Sequence, residues 1–213
     1  MKGMKFGIDV PTCLSGMAYP VSFATADEVI RIAVEAEALC FHEVAGNDHL
    51  STQRFVREAW SVPPDYFEPL MMLATIAAKT SVVRLATGIL VLPMREPVLL
   101  AKQVATLDQI SGGRVTLAVA AGGYREEFES VAPDLADASR TRLMAEGIEA
   151  LRILFGQRRS TWAGTADSAI SSRIPSRSSR RCRSSLAAMP RAPFAGRGSN
   201  VRVGCRPSSA RTK

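Results

Sequence analysis

What most constrains this chain is the order of its apolar runs. Over the first 166 residues, stretches with the length of buried strands alternate with stretches of helical periodicity. Lys5 to Val10, Phe41 to Ala45, Val82 to Leu92 and Val115 to Ala120 read as strands, the first ended by Pro11, which cannot donate to a ladder. Between them, Thr25 and Glu28 have the spacing of a capping box, ahead of a stripe of Val29, Ile32, Ala33, Ala36 and Leu39. Pro69 to Lys79 is apolar on most faces. Pro97 suits the first turn of a helix that runs to about Ile110 and is closed by Ser111-Gly112-Gly113. A last helix spans Thr141 to Phe155, with Leu143, Ile148, Leu151 and Phe155 inward and Gly156 as its stop.

Strands separated by helices imply a parallel sheet, because parallel neighbours need a crossover connection. A doubly wound nucleotide-binding sheet would carry a glycine fingerprint after its first strand, but Asp9-Val10-Pro11-Thr12-Cys13 holds no GxGxxG, and the chain has no P-loop. The pattern fits an α/β fold of the (β/α)8 TIM-barrel type. Such a barrel takes about 250 residues, so four units supply its first half. Half a barrel implies an open edge after the fourth strand and an uncovered apolar interior.

In a βα barrel the chemistry collects where strands end. There the sequence places Asn47-Asp48-His49 after the second strand, Thr87-Gly88-Ile89 in the third, and Gly122-Gly123-Tyr124-Arg125-Glu126-Glu127 after the fourth. His49 can act as acid, base or hydrogen-bond anchor, and Asp48 could fix its tautomer if the turn points both inward. On the residues alone, Asp48-His49 reads equally as a polar loop and Gly122-Gly123 as a tight turn. Gly88 inside an apolar strand marks a bulge or a close approach of ligand or backbone. Glu126 and Glu127 read as a solvated helix start.

These segments together resemble the bacterial luciferase-like flavin and deazaflavin oxidoreductases. The resemblance runs from residue 4 to 166. It rests on Asn47-Asp48-His49-Leu50, on Ala86 to Pro93 (ATGILVLP) with Pro97-Val98, on Leu100-Ala101-Lys102, Ala105 to Asp108 and Ser111-Gly112-Gly113-Arg114, and on Gly122 to Phe128. The Asp-His pair and the Glu-Glu-Phe ending are most similar to the branch that uses coenzyme F420, with the FMN-dependent branch as the alternative. The resemblance implies a ring bound at the strand ends, with hydride transfer at the ring's C5 for F420 or oxygen activation for reduced FMN, on a small organic substrate. It implies that His49 and Asp48 are the catalytic pair, and that His49, Thr87, Gly88, Ile89, Gly122, Gly123 and Tyr124 line the cofactor. It places Gly88-Ile89 where a non-proline cis peptide is common, gives no role to a metal, and implies a homodimer through the first-half helices around Met71, Met72, Leu73 and Ile76. Glycine is usual in this family where Cys40 stands, past the first helix, so cysteine there should cost stability.

Composition changes abruptly after Ala166. Residues 1–166 carry 16 Lys and Arg against 19 Asp and Glu, whereas residues 167–213 carry 11 against 1, with 10 Arg and 11 Ser. The net charge of +7 therefore belongs to the tail, and the body would not attract nucleic acid or an anionic membrane. The tail lacks the periodicity to build four more βα units and reads as irregular. A shifted reading frame explains it best: over Arg183 to Pro193 the shift permits Ile-Phe-Val-Gly-Gly-Asn-Ala-Pro-Gly-Ala, the family's fifth strand. Since the family's phosphate-holding loops lie in the second half, a catalytically inactive remnant is the alternative to an active oxidoreductase. A nucleic-acid-binding arm ranks third, with Phe194 the one aromatic available for stacking. No run approaches the roughly 18 apolar residues of a membrane span, and neither a signal peptide nor a CxxC pair is present, so a cytoplasmic protein with free thiols is expected.

Overall fold

The computed structural model describes residues 4–13, 24–62, 66–156, 184–188 and 201–205. Four strands lie parallel in chain order: β1 (Gly7–Val10), β2 (Glu43–Gly46), β3 (Arg84–Thr87), and β5 (Val115–Ala120), with the two-residue β4 (Leu90–Val91) continuing β3's path along β5. The registers pair Val10 with Gly46, Gly46 with Thr87, and Leu85 with Val115, so the strands all end at one rim. The crossovers are α1 (Ala26–Ala38), α3 (Pro69–Lys79) and α4 (Pro97–Ile110), and α6 (Arg140–Gly156) follows β5. This is the architecture of four consecutive βα units, about the first half of a (β/α)8 barrel.

The local signals act as their chemistry predicts. Thr25 Oγ1 accepts the Glu28 amide while Glu28 Oε2 accepts the Thr25 amide at 2.7 Å, completing the capping box of α1. Pro69 and Pro97 open α3 and α4, whose preceding residues, Glu68 and Glu96, cap the first turn with their carboxylates. The core lies between the sheet's outer face and these helices: Val10, Val44, Leu85, Leu117 and Val119 meet Val29, Leu73, Ile76, Leu100 and Leu151.

Several expectations need correction. The single strand Val82 to Leu92 is instead two, because the ladder is interrupted at Gly88-Ile89, where the peptide bond is cis as the resemblance implied. Leu39 is exposed, since it caps α1 rather than facing the sheet. In α6, Ile148, Leu151 and Phe155 pack on the core as expected, but Met144 and Leu154 are buried there and Leu143 is not. The line of closest approach runs through Gly147, where a Cβ would stand 2.9 Å from Leu92 Cγ. Two short helices flank the rim: α2 (Arg54–Ala59), which was not anticipated, and α5 (Arg125–Val131), which begins where Glu126 and Glu127 read as a helix start. The inner face is also not apolar. Residues alternating with the core set are small or polar, among them Asp9, Glu43, Ala45, Arg84, Ala86 and Thr116, with Arg84 Nη2 donating to Thr116 Oγ1 over 2.9 Å.

Within the tail, β6 (Ser184–Ala188) and β7 (Val201–Cys205) are extended and antiparallel, and β7 pairs β5 antiparallel, with Thr116 opposite Gly204. An irregular tail was expected. These ten residues differ because the far edge of β5 offers unpaired backbone groups, and alternation around Val201 and Val203 suits them to occupy it. The remaining tail positions, including Phe194, lie outside the described residues.

Candidate functional site at the strand ends

The loop after β2 turns its successive side chains in different directions. Asp48 is buried: its Oδ2 accepts the Val91 amide at 2.8 Å and its Oδ1 accepts Arg95 Nη2 at 2.6 Å. Arg95 Nη1 reaches Glu68 Oε1 at 2.9 Å. Both oxygens are therefore engaged in holding the β2 loop to the end of β4, and neither meets the His49 ring. Asp48 braces the rim and does not set the tautomer of its neighbour.

His49 turns toward α5. Its Nδ1 lies 3.1 Å from Glu127 Oε1 and 2.6 Å from Gln53 Nε2. The same Glu127 oxygen accepts the Leu50 amide at 3.1 Å, and the Tyr66 hydroxyl donates to Gln53 Oε1 at 3.1 Å. Gln53 and Glu127 are 0% and 1% exposed, so their buried polar atoms depend on such partners. The Tyr66 and Tyr124 rings each stand 5.7 Å from the His49 ring, and Phe55 lies 6.0 Å from Tyr124. Burial pushes the Tyr66 hydroxyl up to about 12, so it stays a neutral phenol. Among the described residues Nε2 of His49 has no hydrogen-bond partner, which leaves it available to a ligand.

The glycines and Thr87 hold the rim in shape. Thr87 Oγ1 donates to the Ala118 carbonyl at 2.6 Å and accepts the Ala118 amide at 2.8 Å, replacing ladder bonds where β3 breaks off. A Cβ on Gly88 would come 2.9 Å from Ala45 Cβ, so the approach of β2 itself demands glycine, and the Gly88 amide donates to the Gly46 carbonyl at 2.7 Å. Ile89 follows, half-buried, across the cis bond. Gly122 has φ of 82°, and a Cβ there would strike Phe128 at 2.8 Å and Val91 at 2.9 Å. Gly123 faces open space, and Tyr124 precedes α5 with its ring toward His49. The structure thus sets His49 beside Tyr124 and leaves the Gly88-Ile89 peptide at the end of β3 on the same rim, while Asp48, Thr87 and Gly122 serve the frame.

Three members of the site escaped the sequence. Glu127 was expected to be solvated, yet with Tyr124 and Phe128 it makes an i, i+3, i+4 set on one helix face, a pattern that places a carboxylate where an apolar side chain would stand. Gln53 and Tyr66 carry no comparable signal. Cys13 also lies here, donating to the Asn47 carbonyl at 3.3 Å, and burial pushes its thiol up to about 12, which makes it a packing group and not a nucleophile. Asn47 Oδ1 is buried without a partner. Among the described residues no group of three or more His, Cys, Asp or Glu is placed to hold a metal ion, and no helix is long and apolar enough to cross a membrane.

Comparison with known proteins matches residues 4–190 to the luciferase-like monooxygenase family. The oxygenase component of a flavin-dependent trigonelline monooxygenase from Acinetobacter baylyi is 30% identical over 129 residues, 61% of this chain and 33% of that protein. Among solved structures, the oxygenating constituent of 3,6-diketocamphane monooxygenase from Pseudomonas putida, in complex with FMN, superposes with a TM-score of 0.62 at 20% identity, over 81% of this chain and 44% of that one. An F420-dependent secondary alcohol dehydrogenase in complex with an F420-acetone adduct gives 0.59 at 20% identity, over 84% and 51%. The chain spans from a third to about half the length of the relatives it matches.

Proposed function

This chain belongs to the luciferase-like monooxygenase family, and from that membership we propose that it forms the ring-binding half of an F420-dependent oxidoreductase acting on a small organic molecule. The observation that carries the reading is His49 at the end of β2, with its Nδ1 engaged by Glu127 and its Nε2 unpartnered among the described residues. The described residues suit the planar end of such a cofactor: the His49 ring, with Nε2 unpartnered among the described residues, stands beside Tyr66 and Tyr124, and Phe55 packs on Tyr124. When bound, F420 exchanges hydride at its ring's C5. His49 would then hold or release a proton at Nε2 beside the reacting carbon. Tyr66, Tyr124 and Phe55 would exclude water and present flat apolar faces, and the Gly88-Ile89 peptide would support the ring from behind.

FMN is the second reading, favoured by the 30% identity to the oxygenase component of the flavin-dependent trigonelline monooxygenase. Two copies would associate through the apolar groove of about 300 Å³ between α3 and α4, where Met71, Leu99 and Ile110 are exposed.

Titration of the full chain with F420 and with FMN, followed by fluorescence, tests the cofactor. Micromolar binding of F420 that is weakened in His49→Ala supports the reading; tighter binding of FMN replaces it with the second. Binding of neither would leave the chain a catalytically inactive remnant of such an enzyme.

A further inference from the structure

Nδ1 of His49 faces two partners of opposite character. Glu127 Oε1, at 3.1 Å, can only accept while its carboxylate is ionised, whereas Gln53 Nε2, at 2.6 Å, can only donate. A single ring nitrogen satisfies one of them: with a proton it serves Glu127, and with a lone pair it serves Gln53. The choice decides the chemistry of Nε2, because neutral imidazole carries one proton.

We propose that Glu127 is a positioning residue that fixes the proton of neutral His49 on Nδ1, so that Nε2 presents a lone pair to the mouth of the site. Three features favour this tautomer over the other. The Nδ1–H bond to a carboxylate is charge-assisted and roughly twice as strong as one to a neutral amide. Glu127 is 1% exposed and its Oε1 is fixed by the Leu50 amide, so it cannot swing out to water if the ring deserts it. Gln53 can adapt instead: turned about its amide axis it offers Oε1 to Nδ1–H and Nε2 to the Tyr66 oxygen, satisfying both neighbours with the same atoms in place. The opposite tautomer would set the Nδ1 lone pair against a carboxylate oxygen at 3.1 Å, with no proton between them. As an acceptor, Nε2 would be suited to take the proton of a substrate hydroxyl while the carbon bearing that hydroxyl gave its hydride to C5 of bound oxidised F420, leaving a carbonyl. That consequence rests on the ring-binding reading above, whereas the tautomer does not.

The experiment is nitrogen NMR on the full chain with ring-labelled histidine. The sequence has only two histidines, so His42→Gln assigns the signals of His49. At a pH where the ring is neutral, the expected spectrum has Nδ1 protonated and Nε2 unprotonated, in roughly tenfold excess or more, the ratio set by the stronger charge-assisted bond. Glu127→Gln should shift that ratio toward Nε2–H by several-fold. A wild-type ring protonated on Nε2 overturns the proposal without any variant, as does a folded Glu127→Gln protein with an unchanged ratio. F420 and FMN titration of the same sample separates the two readings: a proton on Nδ1 with no binding of either upholds the positioning role and overturns only the ring-binding reading.

Discussion

Arg95 Nη2 donates to Asp48 Oδ1 over 2.6 Å, and the two side chains are 13% and 1% exposed. This buried ion pair ties the loop that carries His49 to the turn after β4, and the Val91 amide on the second Asp48 oxygen locks it. A charge so placed is costly to strand. Asp48→Ala should lose about 3–5 kcal/mol, because it leaves the Arg95 guanidinium buried with only Glu68 beside it. Asp48→Asn, which can keep an acceptor for Val91, should lose less. Urea unfolding would read both, and wild-type stability in Asp48→Ala would mean that the brace is idle.

Gly122 is required twice, by its φ of 82° and by the Phe128 and Val91 side chains that a Cβ would strike. Gly122→Ala should destabilise by about 1–3 kcal/mol through overpacking, with strain added by the left-handed backbone. Gly123→Ala, where nothing lies within 4 Å, is the control and should change little. Equal losses from the two variants would refute the packing argument.

Cys40 occupies the left-handed position after α1, with φ of 62°. The Phe41 amide donates to the Ala36 carbonyl and the Cys40 amide to the Glu37 carbonyl, the paired bonds of a Schellman ending, where glycine is the usual residue. The cost expected of cysteine here should therefore be recoverable: Cys40→Gly should raise stability by about 1 kcal/mol. An unchanged or lowered denaturation midpoint would count against it.

Glu37 receives the amides of Ser81, Val82 and Val83 on its carboxylate, the last two at 2.7 and 2.8 Å. Burial pushes its carboxyl up, but the three amide bonds outweigh burial and hold it below its ordinary 4.5. The folded group binds its proton less tightly than the unfolded chain's does. Its stabilisation is thus fully present above that ordinary value and is lost as pH falls through the folded one. Glu37→Gln should lose about 2 kcal/mol near neutrality and flatten the acid limb of the stability profile. A variant with an acid limb as steep as that of wild type would show that other carboxylates set it.

Leu99 lines the α3–α4 groove and is 56% exposed. If two copies meet there, Leu99→Lys should convert a dimer to a monomer in sedimentation while leaving thermal stability within about 0.5 kcal/mol, as an exposed substitution does. A wild-type chain that sediments as a monomer would remove the interface.

The frame of the molecule was legible wherever a residue acts on its own neighbourhood. Thr25 and Glu28 cap α1, Pro69 and Pro97 open their helices, and the apolar runs find the sheet's outer face, because capping, proline geometry and periodicity are local properties. The resemblance placed the cis bond at Gly88-Ile89 and the left-handed backbone at Cys40. Elements of one turn or two, such as α2, carry too few residues for a period to emerge. The polar inner face was misjudged because alternation names two faces without saying which one meets the helices.

The site divides in the same way. By itself the sequence determined the βα order and hence the rim that carries His49, Gly88 and Tyr124, since parallel strands joined by right-handed crossovers all end on one side. Only the tertiary structure decided that Asp48 turns to Arg95 while His49 turns to Glu127, 78 positions away in the chain. Which carboxylate faces a ring depends on the packing of α5 against the β2 loop and on the desolvation that makes a stranded charge intolerable. Neither quantity exists until the segments are brought together.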